Sequence, residues 1–161
     1  MNLSLHKKRR RTIRGSIVVE AALLTIPLII MMFGTTEIGR AIYTYNTLDK
    51  AARDAARHLS QHGPGESGIA DEARCLVAYG SIINCAGPNT LVPGFDKDKM
   101  IEICDASTPP PCVDQTVTIP GVGSINLVTV SITEYPYNSF VEWIVKSMKF
   151  NDISVTMRGQ L

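Results

Sequence analysis

No acidic residue precedes Glu20, no C-x-x-C occurs among the four cysteines, and no nucleophile elbow appears in the 161-residue chain. Each absence removes a class of function. Without C-x-x-C spacing the cysteines do not form a recognisable zinc site. Without a nucleophile elbow or a paired-carboxylate signature, nothing marks an enzyme, so no catalytic residue, metal or cofactor is expected. The glycine-rich run 63–68 is not followed by Gly-Lys-Ser/Thr, so it reads as a flexible connection and not as a phosphate loop.

The missing early acids leave Lys7, Lys8, Arg9, Arg10, Arg11 and Arg14 unbalanced, six of the 16 basic residues in a chain of net charge +1. Beyond residue 15, ten basic side chains face 15 acidic ones, a net of −5. A basic end on an acidic body argues against nucleic acid as a partner and for an end held on the cytoplasmic side of a membrane. A solvated disordered tail would explain the charge but not its position directly before an apolar run.

That run, IVVEAALLTIPLIIMMF, with Gly34, Thr35 and Thr36, gives 20 residues from Ile17 to Thr36. As a helix it spans about 30 Å, the thickness of a bilayer core. The positive-inside rule then places residues 1–15 in the cytoplasm and the chain after about residue 37 outside, a single pass through a membrane. A cleaved secretory signal is the competing reading, weakened by the length of the run and the lack of an A-x-A-like site. Pro27 is expected to kink or loosen the helix near Leu23 and Leu24. Glu20, inside the run, costs about 2.5–3.5 kcal/mol at mid-membrane and less near the interface; snorkelling toward the headgroups is one answer to that cost.

Another answer comes from the residues around it. Arg14, Gly15 and Ser16 separate the basic leader from the apolar run, and Glu20 follows Ser16 by four positions. A cut between Gly15 and Ser16 would create an α-amine of pKa about 8, cationic at neutral pH. Between staggered neighbouring helices this amine and Glu20 would pair, offsetting two desolvation costs and fixing the axial register of subunits.

Basic leader, Gly15, Ser16, Glu20 and apolar helix resemble the type IV prepilin pattern. More narrowly, GSIVVEAALLTIPLIIMMFGTTEIGRAIYTYNTLDKAAR resembles the TadE-like family of the tight-adherence (Flp, type IVb) pilus system, with Gly15, Glu20, Pro27 and Gly34 at the family's positions. Looser likeness continues in ARCLVAYG, LVPG, VSITEYPY and SVTMR. The resemblance implies a pseudopilin or minor pilin of a bacterial inner membrane, cut by a prepilin peptidase, whose partners are the pilus assembly machinery, other pilin-like subunits and the lipid bilayer. The alternative is an unprocessed single-pass membrane protein whose outer head binds partners.

Ile38, Ala41, Ile42, Tyr45, Leu48, Ala52, Ala55, Ala56 and Leu59 recur at helical spacing, which extends the membrane helix to about Gln61. In a pilin-like chain the first half of this stripe faces a neighbour and the second half its own head. His58 and His62 lie four apart without a third ligand and read as surface histidines. A second helix is predicted over 69–79, and strands over 100–104, 115–119, 125–133 and 153–158. Ser139 to Glu142 has the form of a capping box, and Phe140, Trp143, Ile144, Ser147 and Met148 predict a short helix to about Phe150.

The fold expected is α+β: a leader (1–15), a transmembrane helix with an amphipathic stalk (16–62), and an extracytoplasmic head (63–161) of short helices on an antiparallel sheet. Cys75, Cys85, Cys104 and Cys112 all fall in the head. In an oxidising compartment they predict two disulfides. Three pairings are possible, and Cys75 with Cys85 and Cys104 with Cys112 is preferred because each closes a short loop. Pro109, Pro110 and Pro111 read as a stiff turn inside the second loop.

Overall fold

The computed structural model describes residues 14–108, 112, 115–121 and 123–159. Residues 1–13 of the leader, the proline run and the Ser16 side chain lie outside the described residues. Helix α1 (Arg14–Ser60) is a single element that continues through Pro27. It is followed by α2 (Ile69–Tyr79), the one-turn α3 (Lys97–Met100), and strands β1 (Ile101–Cys104), β2 (Thr116–Ile119), β3 (Gly123–Ile132), β4 (Pro136–Tyr137), β5 (Met148–Lys149) and β6 (Ile153–Arg158). The architecture is a long N-terminal helix carrying an α+β domain.

Strand β3 organises the sheet. It pairs antiparallel with β2 over its first half, from Ile119 opposite Gly123 to Thr116 opposite Asn126. Its second half lies between β1 and β6, with Ile132 opposite both Ile101 and Ile153. The alternation in its sequence has its expected result. Val128, Val130 and Ile132 are buried, while the outer face carries a polar ladder in which the Thr129 and Thr156 hydroxyls lie 2.8 Å apart and Ser131 donates to Ser154 at 3.1 Å.

The second half of α1 covers the inner face of this sheet. Leu48, Ala51, Ala52, Ala55, Ala56 and Leu59 are buried with Val77, Val130, Ile132 and Ile153 in one core. The alanines present little bulk, so α2 approaches closely with Ala73 and Val77. Helix α2 ends at Gly80, whose φ of 71° is the left-handed conformation of a helix stop and whose N–H donates to the Leu76 carbonyl at 2.8 Å. The connection from α1 to α2 is fixed by Asp105, which accepts from the Gly65 N–H at 3.1 Å and from the Ser107 N–H at 2.9 Å. Gly65 has φ 73°, and a Cβ there would stand 2.8 Å from the Ser107 hydroxyl, so both conformation and space call for glycine.

Two bridges close loops of the head. Cys75 on α2 is joined to Cys85, and Cys104 at the end of β1 to Cys112, with Cα separations of 5.2 and 5.4 Å. Among the described residues no cysteine is free.

The helix predicted over 139–150 is not formed. A single turn closes where the Ile144 and Val145 N–H groups donate to the Val141 carbonyl at 2.9 Å, and the chain then extends into β5. Glu142 does not complete a capping box; it accepts from the Ser147 hydroxyl at 3.1 Å. The reason is tertiary. Phe150 stacks on Tyr137 at 5.4 Å and also meets Tyr135 and Tyr45, and its N–H donates to the Tyr135 carbonyl at 3.0 Å. These contacts need an extended chain beside β4 and outweigh the helical periodicity of one short segment.

Leu48→Ala is expected to cost about 2–5 kcal/mol, whereas Tyr43→Ala on the exposed face should stay within about 0.5 kcal/mol. Urea unfolding of the detergent-solubilised chain, followed by far-ultraviolet circular dichroism, measures both. Intact-mass analysis should find no alkylated thiol before reduction and all four cysteines alkylated after it. Four reactive thiols in protein exported without reductant would refute the bridges.

Candidate functional site

The apolar segment 17–33 of α1 presents its large side chains outward, from Ile17 and Val18 through Leu28 to Phe33. Gly15 and Glu20 lie on this uncovered part of the helix, both exposed, and no atom would meet a Cβ at Gly15 within 4 Å. Thr25, Thr35 and Thr36 return their hydroxyls to carbonyls four residues earlier, so the helix satisfies these polar groups internally. Helix α1 is long and apolar enough to cross a membrane.

The first polar group after this stretch is handled differently. Glu37 is only 3% exposed, and its Oε1 accepts from Arg40 Nη2 at 2.9 Å, from the Tyr137 hydroxyl at 2.9 Å and from the Phe140 N–H at 3.3 Å. The Tyr137 hydroxyl also reaches the Glu37 carbonyl at 3.2 Å and accepts from Arg40 Nε at 3.0 Å. Arg40 donates to the Asn138 carbonyl as well, and its guanidinium carbon lies 3.8 Å from the Phe140 ring centroid and 4.9 Å from that of Tyr137. One acid and one base, a single turn apart on α1, thus hold residues 137–140 of the head against the helix.

Burial pushes the Glu37 carboxyl up, but hydrogen bonds from Arg40, Tyr137 and Ser139 and the charge of Arg40 outweigh it and hold the group below the usual carboxylate range. Burial, reinforced by the bond to Glu37, pushes the Tyr137 phenol up and keeps it a donor. The sequence carried only a faint sign of this clamp: an acid and a base at i, i+3 directly after an apolar run. Its partner stands 100 residues away along the chain.

The stripe on the stalk divides in two, and its second half faces the head as expected. Ile38 and Ile42 are exposed, while Leu48 onward is buried. His58 is partly buried, paired with Glu72 at 2.9 Å, and His62 hydrogen-bonds the His58 carbonyl. Both rings therefore serve the junction of α1 and α2. Glu102, Cys104 and Cys112 lie within ligand reach of one another, but the two sulfurs are bonded to each other, which leaves one carboxylate and no ligand set. The glycine run 63–68 follows a helix and not a strand, and it makes turns.

An exposed apolar helix thus bears Gly15, Glu20, Pro27 and Gly34 and is clamped to its head just past the apolar stretch. Residues 15–57 match the family model of TadE-like protein. No curated protein and no solved structure matches the chain. The TadE-like segment covers the uncovered apolar part of α1, the Glu37–Arg40 pair and most of the stalk.

Tyr137→Phe is expected to destabilise the chain by about 1–3 kcal/mol, because the Glu37 carboxylate loses a donor while staying buried. Since folding lowers the Glu37 pKa from its ordinary value of 4.5, the contribution of the clamp is complete above that pH and is lost as the pH falls through the lower folded value. Thermal unfolding recorded from neutral to strongly acidic pH should show this loss, and Glu37→Gln should flatten that part of the profile.

Proposed function

We propose that the chain is a membrane-anchored structural subunit of a bacterial Tad (Flp, type IVb) pilus system, a pseudopilin or minor pilin, and not an enzyme. The observation that carries this reading is the TadE-like match over 15–57, which coincides with a helix whose first part is bare and whose second part is built into the head. A bare apolar surface over 17–36 suits lipid before assembly and neighbouring helices after it. The chain would then be organised as a cytoplasmic leader (1–15), a membrane helix and stalk (16–62), and an extracytoplasmic head (63–161).

A prepilin peptidase cuts between Gly15 and Ser16 on the cytoplasmic face. Glycine before the cut allows close approach to the backbone. The Ser16 amine so created pairs with Glu20 of an adjacent subunit, which offsets the cost of burying either charge alone and fixes how far one helix sits above the next. Ile38 and Ile42, exposed on the stalk just past the membrane, extend the face offered to that neighbour.

Mature protein should begin at Ser16. Gly15→Ala should leave a precursor heavier by the 15-residue leader, and Glu20→Gln should still be cut but accumulate in the membrane of cells with few or no pili. N-terminal sequencing, intact mass and electron microscopy of the cell surface read these outcomes. A protein from piliated cells that starts at Met1, or normal assembly by Glu20→Gln, would overturn the mechanism.

A further inference from the structure

The tip of the β4–β5 hairpin has a surface that the fold does not use. Phe140 is 82% exposed, with only Arg40 stacked on its ring, and Trp143 is 70% exposed; the turn that carries them is closed by backbone bonds to Val141. The hairpin points down the stalk toward the apolar end of α1. Phe150 touches Tyr45, Tyr137 binds Glu37, and Ile144 reaches Gly34, where a Cβ would lie 3.9 Å from its Cγ2. From residue 45 to residue 34 the helix descends about 16 Å. The tip therefore lies level with the last turn of the 17–36 segment, and the two share an apolar groove of about 400 Å³ lined by Phe33, Thr36, Glu37, Phe140, Val141 and Trp143.

We propose that residues 138–147 are a membrane-docking element that seats the head on the bilayer leaflet from which α1 emerges. This rests on the reading that 17–36 spans the bilayer. Two observations favour lipid as the occupant. The exposed rings stand beside Phe33 and Thr36 at the exit of the span, where the headgroup boundary must lie. Trp143 has the amphipathic indole of the aromatic belt at membrane interfaces, and Phe140 adds apolar area of the kind that interfacial anchors bury. Lys146 and Lys149 follow the rings; Lys149 pairs with Glu134 at 3.2 Å on the surface, and Glu142 is engaged by Ser147, so the local charge is mixed and the aromatic rings supply the main attraction. The Glu37–Arg40 clamp has a second consequence here: by fixing residues 137–140 to the helix, it fixes the depth at which the rings meet the bilayer.

Trp143 is the sole tryptophan in the chain, so its fluorescence reports this tip alone. The full-length protein is placed in lipid nanodiscs of phosphatidylcholine and phosphatidylglycerol, with a tryptophan-free scaffold and one copy per disc. Elution with the discs reads the anchor, and Trp143 reads the tip. The expected result is blue-shifted emission, quenching by lipid brominated near the headgroup end of its chains, and protection from aqueous iodide. Val141→Ser, at a residue that lines the groove but takes no side-chain part in the clamp, should weaken the lipid quenching and raise iodide access with no change in far-ultraviolet circular dichroism. Protein that elutes with the discs yet shows a water-exposed, iodide-quenched Trp143 overturns the proposal and leaves the anchor intact. Shielding that appears only when several copies share a disc also overturns it, assigning the patch to a neighbouring chain. Protein that elutes apart from the discs defeats the anchor and the docking element together.

Discussion

The carboxylate of Glu37 is withdrawn from water at the end of an apolar stretch, so its charge has to be met from within the protein. Arg40 alone would meet it as an ordinary i, i+3 pair on a helix surface, a weak interaction in water. What changes its weight is the arrival of Tyr137 and the Phe140 N–H, which close the carboxylate off from solvent and bring β4 with them. The head is thereby attached at two levels: by the alanine-lined core around Leu48 to Leu59, and by this polar clamp lower on the same helix. The core supplies most of the burial. The clamp supplies direction, because hydrogen bonds constrain angle and position where apolar contact does not.

Helix α1 consequently carries three surfaces in succession. Over 17–33 its large side chains are uncovered; around Ile38 and Ile42 apolar residues remain exposed beside the buried Glu37; from Leu48 the helix is part of the head. The proposed passage from membrane to assembly suits such a gradient, since surfaces already spent on the chain's own fold are not available to a neighbour. Glu20 fits the same logic. It is exposed in the single chain, and in the assembly proposed above its cost is lowered by a cation from another subunit.

The head itself is small, and its sheet is held chiefly by β3, which is paired along its whole length. Its remaining loops are shortened by the two disulfides and pinned by Asp105. Bridges of this kind act largely on the unfolded chain and suit a domain with limited core. The head packs directly on α1 through its core and the Glu37 clamp, and in the proposed docking these contacts set the height of the aromatic tip.

The sequence by itself determined the elements whose causes are local. The apolar length of 17–36, the stripe from Leu48 to Leu59, the helix over 69–79 and the alternation of Val128, Val130 and Ile132 each depend on neighbours within a turn or a strand, so spacing alone reveals them. Tertiary structure decided the rest. Ser139 to Phe150 carries a helical pattern, yet Tyr45, Tyr135 and Tyr137 gather on Phe150 and draw the segment into a hairpin. Glu37 and Arg40 mark only the end of an apolar run until Tyr137, 100 residues later, makes them a clamp. Period and charge are properties of a segment, whereas the partner that buries a ring or answers a charge is chosen by the packing of the whole chain.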